Sequence, residues 1–162
     1  MPADSEPLPR LPRTWRPLGV RLAVGFFGGM LTVVCVAAWF AVGPEVRGNV
    51  SVWQLGTVIG IALIGVAIGW GLIRCRVTAS PAGLELVNGY STHRYEWAEV
   101  LAVHMPQGAP FPVLDLADGT SRPAMGIQSS DGDRARSAVR ELRLLVAATA
   151  ERSLKRPDPP AQ

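Results

Sequence analysis

The chain has 162 residues, a mean hydropathy of +0.21 and a formal net charge of +3, with a pI near 9.4. That charge does not point to nucleic acid. Residues 74–162 carry 11 Lys+Arg against 10 Asp+Glu, and the excess sits in the first 21 residues, where Arg10, Arg13, Arg16 and Arg21 face only Asp4 and Glu6.

Pro2, Pro7, Pro9, Pro12 and Pro17 punctuate the N-terminus. Proline removes backbone donors and disfavours helix, so residues 1–21 read as an extended, disordered cytoplasmic tail. Trp15 reads there as an interfacial aromatic anchor, as do Trp39, Trp53 and Trp70 near the ends of the apolar runs that follow.

Two runs without a charged residue come next, Leu22–Val42 and Val52–Ile73, of 21 and 22 residues. At 1.5 Å per residue each covers roughly 30 Å, the thickness of a bilayer core. They predict a transmembrane helical hairpin over 22–73. The first run exceeds the roughly 7–15 residues of a signal-peptide core, and a second span follows it, so cleavage is not expected. Arg10, Arg13, Arg16 and Arg21 precede the first span, and Arg74 and Arg76 follow the second. The connecting loop holds only Arg47, beside Glu45. The positive-inside rule places both termini in the cytoplasm. Arg16, Arg21, Arg74 and Arg76 are therefore candidate contacts for anionic lipid. Gly25/Gly29, Gly56/Gly60 and Gly65/Gly69 form three G-x-x-x-G pairs, which serve either packing of the two spans on each other or association of copies. Cys35, mid-span, and Cys75, beyond the second span, lie at different depths. A disulfide needs Cα atoms within about 7 Å, so both are expected as free thiols.

From Arg74 the pattern changes to period two, broken by turn residues. Strands are expected at 76–79, 84–87, 92–97, 100–105, 111–117 and 122–127, the last an edge strand because of Pro123. Ser80-Pro81-Ala82-Gly83, Asn88-Gly89 and Asp118-Gly119 supply turns. Tyr95 and Trp97 alternate in phase as core positions. From Asp133 the period becomes helical. Ala135, Ala138, Val139, Leu142, Leu145, Val146 and Thr149 make one apolar stripe on a helix running to about Leu154, with Ser129, Ser130 or Asp131 as its cap. The domain is expected over 74–154, with a polar tail over 155–162.

The order of these pieces carries a resemblance: Gly83-Leu84 and Asn88-Gly89, then Trp97-Ala98-Glu99-Val100, then Leu116-Ala117-Asp118-Gly119, then Asp131-Gly132-Asp133-Arg134-Ala135 leading into the helix. Over roughly Arg74–Leu145 the chain resembles the bacterial pleckstrin-homology (PH) family of low molecular weight protein antigen 6 type, found in actinobacteria. Arg outnumbers Lys 15 to 1, which fits a high-GC bacterial genome. The resemblance implies an open barrel of six or seven antiparallel strands capped by one C-terminal helix. It also implies that two spans precede the domain. Lipid-binding PH domains carry basic residues between their first two strands. That connection reads here as Ser80–Gly83, which has no cation, so specific inositide binding is not expected.

No catalytic, metal or cofactor constellation emerges. His93 and His104 are the only histidines and have no partner at a motif spacing. No G-x-S-x-G or G-x-x-x-x-G-K-[ST] sequence occurs. The candidate interaction residues are Met105 and Phe111, in an apolar loop rich in proline, and Arg136, Arg140 and Arg143 on the last helix. The sequence thus predicts a non-enzymatic, membrane-anchored module binding an unidentified protein partner, without nucleic acid. Two alternatives remain: a sensor of anionic lipid surfaces, and a subunit that assembles through its hairpin, as a homo-oligomer for instance.

Overall fold

The computed structural model describes residues 9–155. It contains two compact units. One is Leu18–Arg74; the other joins the residues before Leu18 to those from Cys75 onward.

The first unit is the hairpin. Helix α1 spans Leu18–Ala41, a short α2 spans Pro44–Gly48 and α3 spans Val52–Arg74. α1 starts four residues before the expected boundary. Arg21 ends an uncharged run but is a good helix former, so charge marks the apolar limit and not the helical one. The polar connection serves the helix ends. Arg47 donates from Nε to the Val42 carbonyl at 2.7 Å and from Nη2 to that of Phe40 at 3.2 Å. These carbonyls lie at the end of α1, where helical partners run out. Ser51 and Gln54 form a reciprocal capping box at the start of α3, at 3.0 and 3.3 Å. Of the six glycines proposed for packing, Gly69 approaches α1, where an added Cβ would lie 3.1 Å from Val24 Cγ1. Gly25, Gly29, Gly56, Gly60 and Gly65 have nothing within 4 Å of such an atom. Close packing of α1 on α3 through the glycine faces is thus confined to one position.

Among its described residues the second unit carries seven strands: β1 (Arg13–Trp15), β2 (Arg76–Ser80), β3 (Gly83–Asn88), β4 (Ser91–Tyr95), β5 (Val100–His104), β6 (Val113–Leu116) and β7 (Ser121–Pro123). They form two antiparallel sheets, in the orders β1-β2-β3-β4 and β5-β6-β7. Helix α4 (Asp133–Lys155) follows. The expected class, a helical hairpin with a PH-like α+β domain, is the one observed.

The main correction concerns the N-terminus. Arg13–Trp15 is a strand, not a disordered tail, and pairs with β2 in the register Arg13↔Ala79, Thr14↔Thr78, Trp15↔Val77. Residues 1–8 of the expected tail lie outside the described residues. Proline removes donors, yet a three-residue edge strand flanked by Pro12 and Pro17 asks nothing of those two positions. Trp15 is consequently a core residue at 8% exposure and not an interfacial anchor. The connection between the first two strands is then the whole hairpin. Ser80–Gly83 joins the second and third strands, so its lack of a cation does not bear on the connection between the first two.

The core gathers Trp15, Val77, Ala79, Leu84 and Leu86 from one sheet and Val100, Val103, Leu114 and Leu116 from the other. The α4 stripe seals it with Ala135, Ala138, Val139, Leu142, Leu145 and Val146, as its spacing predicts; Thr149 is half-buried. The expected strand 92–97 ends at Tyr95, and Trp97 opens a 3-10 turn over Trp97–Glu99. Glu96 and Glu99 cap that turn reciprocally, which ends the ladder. Trp97 still packs against the core, and its indole donates to the Ser80 carbonyl at 2.9 Å. The last strand stops at Pro123, beyond which Ala124, Gly126 and Ile127 are buried. Gly126 is obligatory, because a Cβ there would collide with the Arg76 backbone. Lys155, assigned to the tail, is the last described residue of α4; residues 156–162 lie outside the described residues.

Removing the Trp15 indole takes out a core side chain. Trp15→Ala is expected to destabilise the domain by about 3 kcal/mol, read by denaturant-dependent proteolysis of the full chain in micelles. Trp53→Ala, at an 87% exposed position of α3, should leave the domain transition in place.

Candidate functional site

Two clefts with charged side chains in their lining lie against α4, one at the Met105–Pro112 loop and one beside the edge strand β1.

The first lies at the Met105–Pro112 loop. The Ala109 amide donates to the Pro106 carbonyl at 3.0 Å, and the Ser129 amide to that of Pro110 at 2.8 Å. The loop is thereby fixed against the 3-10 turn Ser129–Asp131 that leads into α4. Between them is a cleft of about 370 Å³ lined by Met105, Gln107, Gly108, Ser129, Ala135 and Arg136. Met105 is half-buried against the core, and Arg136 is exposed and bonded to Asp133 at 3.0 Å. Two of the five candidate interaction residues, Met105 and Arg136, therefore line one cleft. Phe111, half-buried, and Arg140, exposed, do not line it. Arg143 is a structural residue: its Nε donates to the Val103 carbonyl of β5 at 2.8 Å, tying α4 to that strand.

The second lies between β1 and α4. Glu141 accepts from Arg13 Nε at 3.0 Å, from Arg13 Nη2 at 3.2 Å and from Trp15 Nε1 at 3.2 Å. This carboxylate locks the first strand onto the last helix. A cleft of about 550 Å³ opens beside it, with Arg16 and Arg134 among its lining residues.

Of the four arginines expected at the lipid surface, Arg16 lines this cleft, and Arg16, Arg21 and Arg74 are exposed. Arg76 is half-buried and committed to Glu85 at 2.9 Å, and Glu85 also accepts from Arg94 at 2.9 Å. The Arg76 guanidinium, and after it that of Arg94, holds the Glu85 carboxyl below its ordinary pKa. Asp118 is likewise lowered, chiefly by the Thr120 hydroxyl at 2.7 Å and then by the Thr120 amide at 2.8 Å.

His104 has a partner that no sequence spacing showed. Its Nδ1 lies 3.0 Å from Asp115 Oδ2, and Ser121 Oγ donates to Asp115 Oδ1 at 2.8 Å. The carboxylate stands between serine and imidazole, so the imidazole is not placed to take the hydroxyl proton, as an activated serine requires. Among the described residues no three His, Cys, Asp or Glu side chains cluster as metal ligands, and Cys35 and Cys75 form no disulfide. Two further residues were missed. Asn88 bridges the sheets, donating to the Pro123 carbonyl at 2.7 Å and accepting from the Met125 amide at 3.1 Å. The other is Glu141, which lies off the apolar stripe of α4 and has no spacing that sets it apart from the other charges of that helix.

The family model for the bacterial PH domain matches residues 74–145. The match begins just before β2, so β1 falls outside it. The uncharacterized proteins Rv1417 of Mycobacterium tuberculosis and Mb1452 of Mycobacterium bovis are each 31% identical to the chain over 106 residues, covering 64% of it and 69% of the relative. No solved structure matches the chain with significance.

The depressed pKa of Glu85 makes the domain sensitive to acid. A carboxyl lowered on folding stabilises the fold above its unfolded pKa, and that contribution is lost as pH falls through the lowered value. Thermal unfolding followed from pH 7 to pH 3 should show this loss below the ordinary carboxylate range. Glu85→Gln should flatten that part of the profile.

Proposed function

Given that this chain belongs to the bacterial PH-domain family, we propose that it is a non-enzymatic interaction module held at the cytoplasmic face of a membrane by its hairpin, and that it binds a protein partner through the Met105–Arg136 cleft. The observation that carries the tethering is the β1–β2 ladder. Its strands flank the hairpin in sequence and pair with each other, so both flanks share one side of the bilayer, as two crossings require. The arginine imbalance across the hairpin supports the cytoplasm as that side. The cleft supports the binding role, since it sets an adaptable apolar side chain beside a cation on a fixed loop.

The test is in-membrane crosslinking and co-purification from the native host. The full chain should capture a specific protein, and Met105→Asp with Arg136→Glu should reduce the yield at least tenfold while the domain remains folded. Equal capture by the variant would sink the cleft as the binding surface.

A second reading rests on the open glycine positions of the spans, which leave faces for another helix. In it the hairpin itself assembles. Gly60→Ile with Gly65→Ile would then dissolve the native assembly on non-denaturing gels, and an unchanged band would refute it.

A further inference from the structure

We propose that the cleft between β1 and α4 is an anion site, in which Arg16 and Arg134 hold a phosphate-bearing group. The cleft encloses about 550 Å³ and is lined by Arg13, Trp15, Arg16, Ile127, Arg134 and Glu141, among others. That volume is large enough for a small phosphorylated molecule or a lipid headgroup.

The charges divide unequally once pairing is counted. Arg13 is neutralised by Glu141 across two bonds. Asp133, which also lines the cleft, is engaged by Arg136 at 3.0 Å, and Asp131 has an interaction of its own. The Arg16 and Arg134 side chains, both exposed, make no hydrogen bond or ion pair among the described residues. Two guanidiniums with free donors on one cleft suit a group with several acceptor oxygens, which a phosphate supplies and a single carboxylate matches less fully. Arg134 stands in the first turn of α4, where the helix dipole adds to its positive potential. The indole of Trp15 and the Ile127 side chain provide an apolar wall for the carbon skeleton of the ligand.

This site differs from the Met105–Arg136 cleft, which shares only Ala135 with it. It differs too from the arginines nearest the second span, since Arg76 is committed to Glu85. Its position in the chain favours a headgroup as the source. Arg16 lies two residues before Leu18, the first residue of α1, so lipid phosphate is the anion at highest local concentration if α1 crosses a membrane. That clause alone depends on the tethering reading; the cleft and its two free cations do not.

The experiment is isothermal titration of the full chain, purified in a zwitterionic detergent, with two probes. One is glycerol 1-phosphate and the other is short-chain phosphatidylglycerol. The controls are Arg16→Gln with Arg134→Gln, and Arg122→Gln on β7. Binding of either probe, weakened at least tenfold by the double substitution and unchanged by Arg122→Gln, supports the site. A response to glycerol 1-phosphate identifies a free phosphate as sufficient and holds even if the hairpin does not span a bilayer. A response to phosphatidylglycerol alone identifies a lipid as the ligand. Absence of binding by both probes, or equal binding by the double variant, would overturn the proposal. The substituted side chains have no hydrogen-bond or ion-pair partner among the described residues, so loss of binding would not reflect unfolding.

Discussion

The pairing of β1 with β2 is the interaction on which the rest of the molecule depends. Its two strands are separated by the entire hairpin, yet they lie in register from Arg13↔Ala79 to Trp15↔Val77. The connection between them is short in residues at each end: two residues link Trp15 to α1, and one links α3 to β2. The domain is therefore attached to the hairpin through two neighbouring strands.

What keeps so short a strand in place is its side-chain set. Three residues of ladder hydrogen bonds contribute little when each is worth about 1 kcal/mol net. Trp15 adds a large buried surface in the main cluster. Glu141 adds charge-assisted bonds to both Arg13 and the indole, so α4 as well as β2 holds β1. The last helix thus closes the core and fixes the first strand. The same juxtaposition creates the cleft with Arg16 and Arg134 on its lining, so the contact that joins β1 to α4 also shapes a cavity with these two guanidiniums at its wall.

Most of the domain was legible because each element obeys a period. The α4 stripe from Ala135 to Val146 and the alternation in Leu84-Glu85-Leu86 follow directly from burial on one face. The two long apolar helices were equally plain, since length and lack of charge suffice to mark them. β1 was not legible. Three residues cannot display a period, and the prolines around them argue for irregular chain; only the partner strand, some sixty residues away, makes them a strand. The misplaced loop at Ser80–Gly83 followed from that omission. The candidate site was partly legible. Met105 and Arg136 were named for separate reasons, and no sequence spacing shows that the Pro110–Ser129 bond brings their segments together. Glu141 and Asn88 were missed because a charged or amide residue acquires a role only from what the fold sets opposite it.

The most direct test of this account is disulfide trapping of the β1–β2 register. Thr14 and Thr78 are paired residues whose hydroxyl oxygens lie 3.2 Å apart. The full chain carrying Thr14→Cys and Thr78→Cys, with Cys35→Ser and Cys75→Ser, would be oxidised mildly in native membranes and analysed by peptide mass spectrometry. The account predicts a bond between positions 14 and 78 within one chain, formed in most molecules. Free, alkylatable thiols at both positions would show that the first strand does not belong to the domain, and the insertion of the hairpin between strands one and two would be wrong.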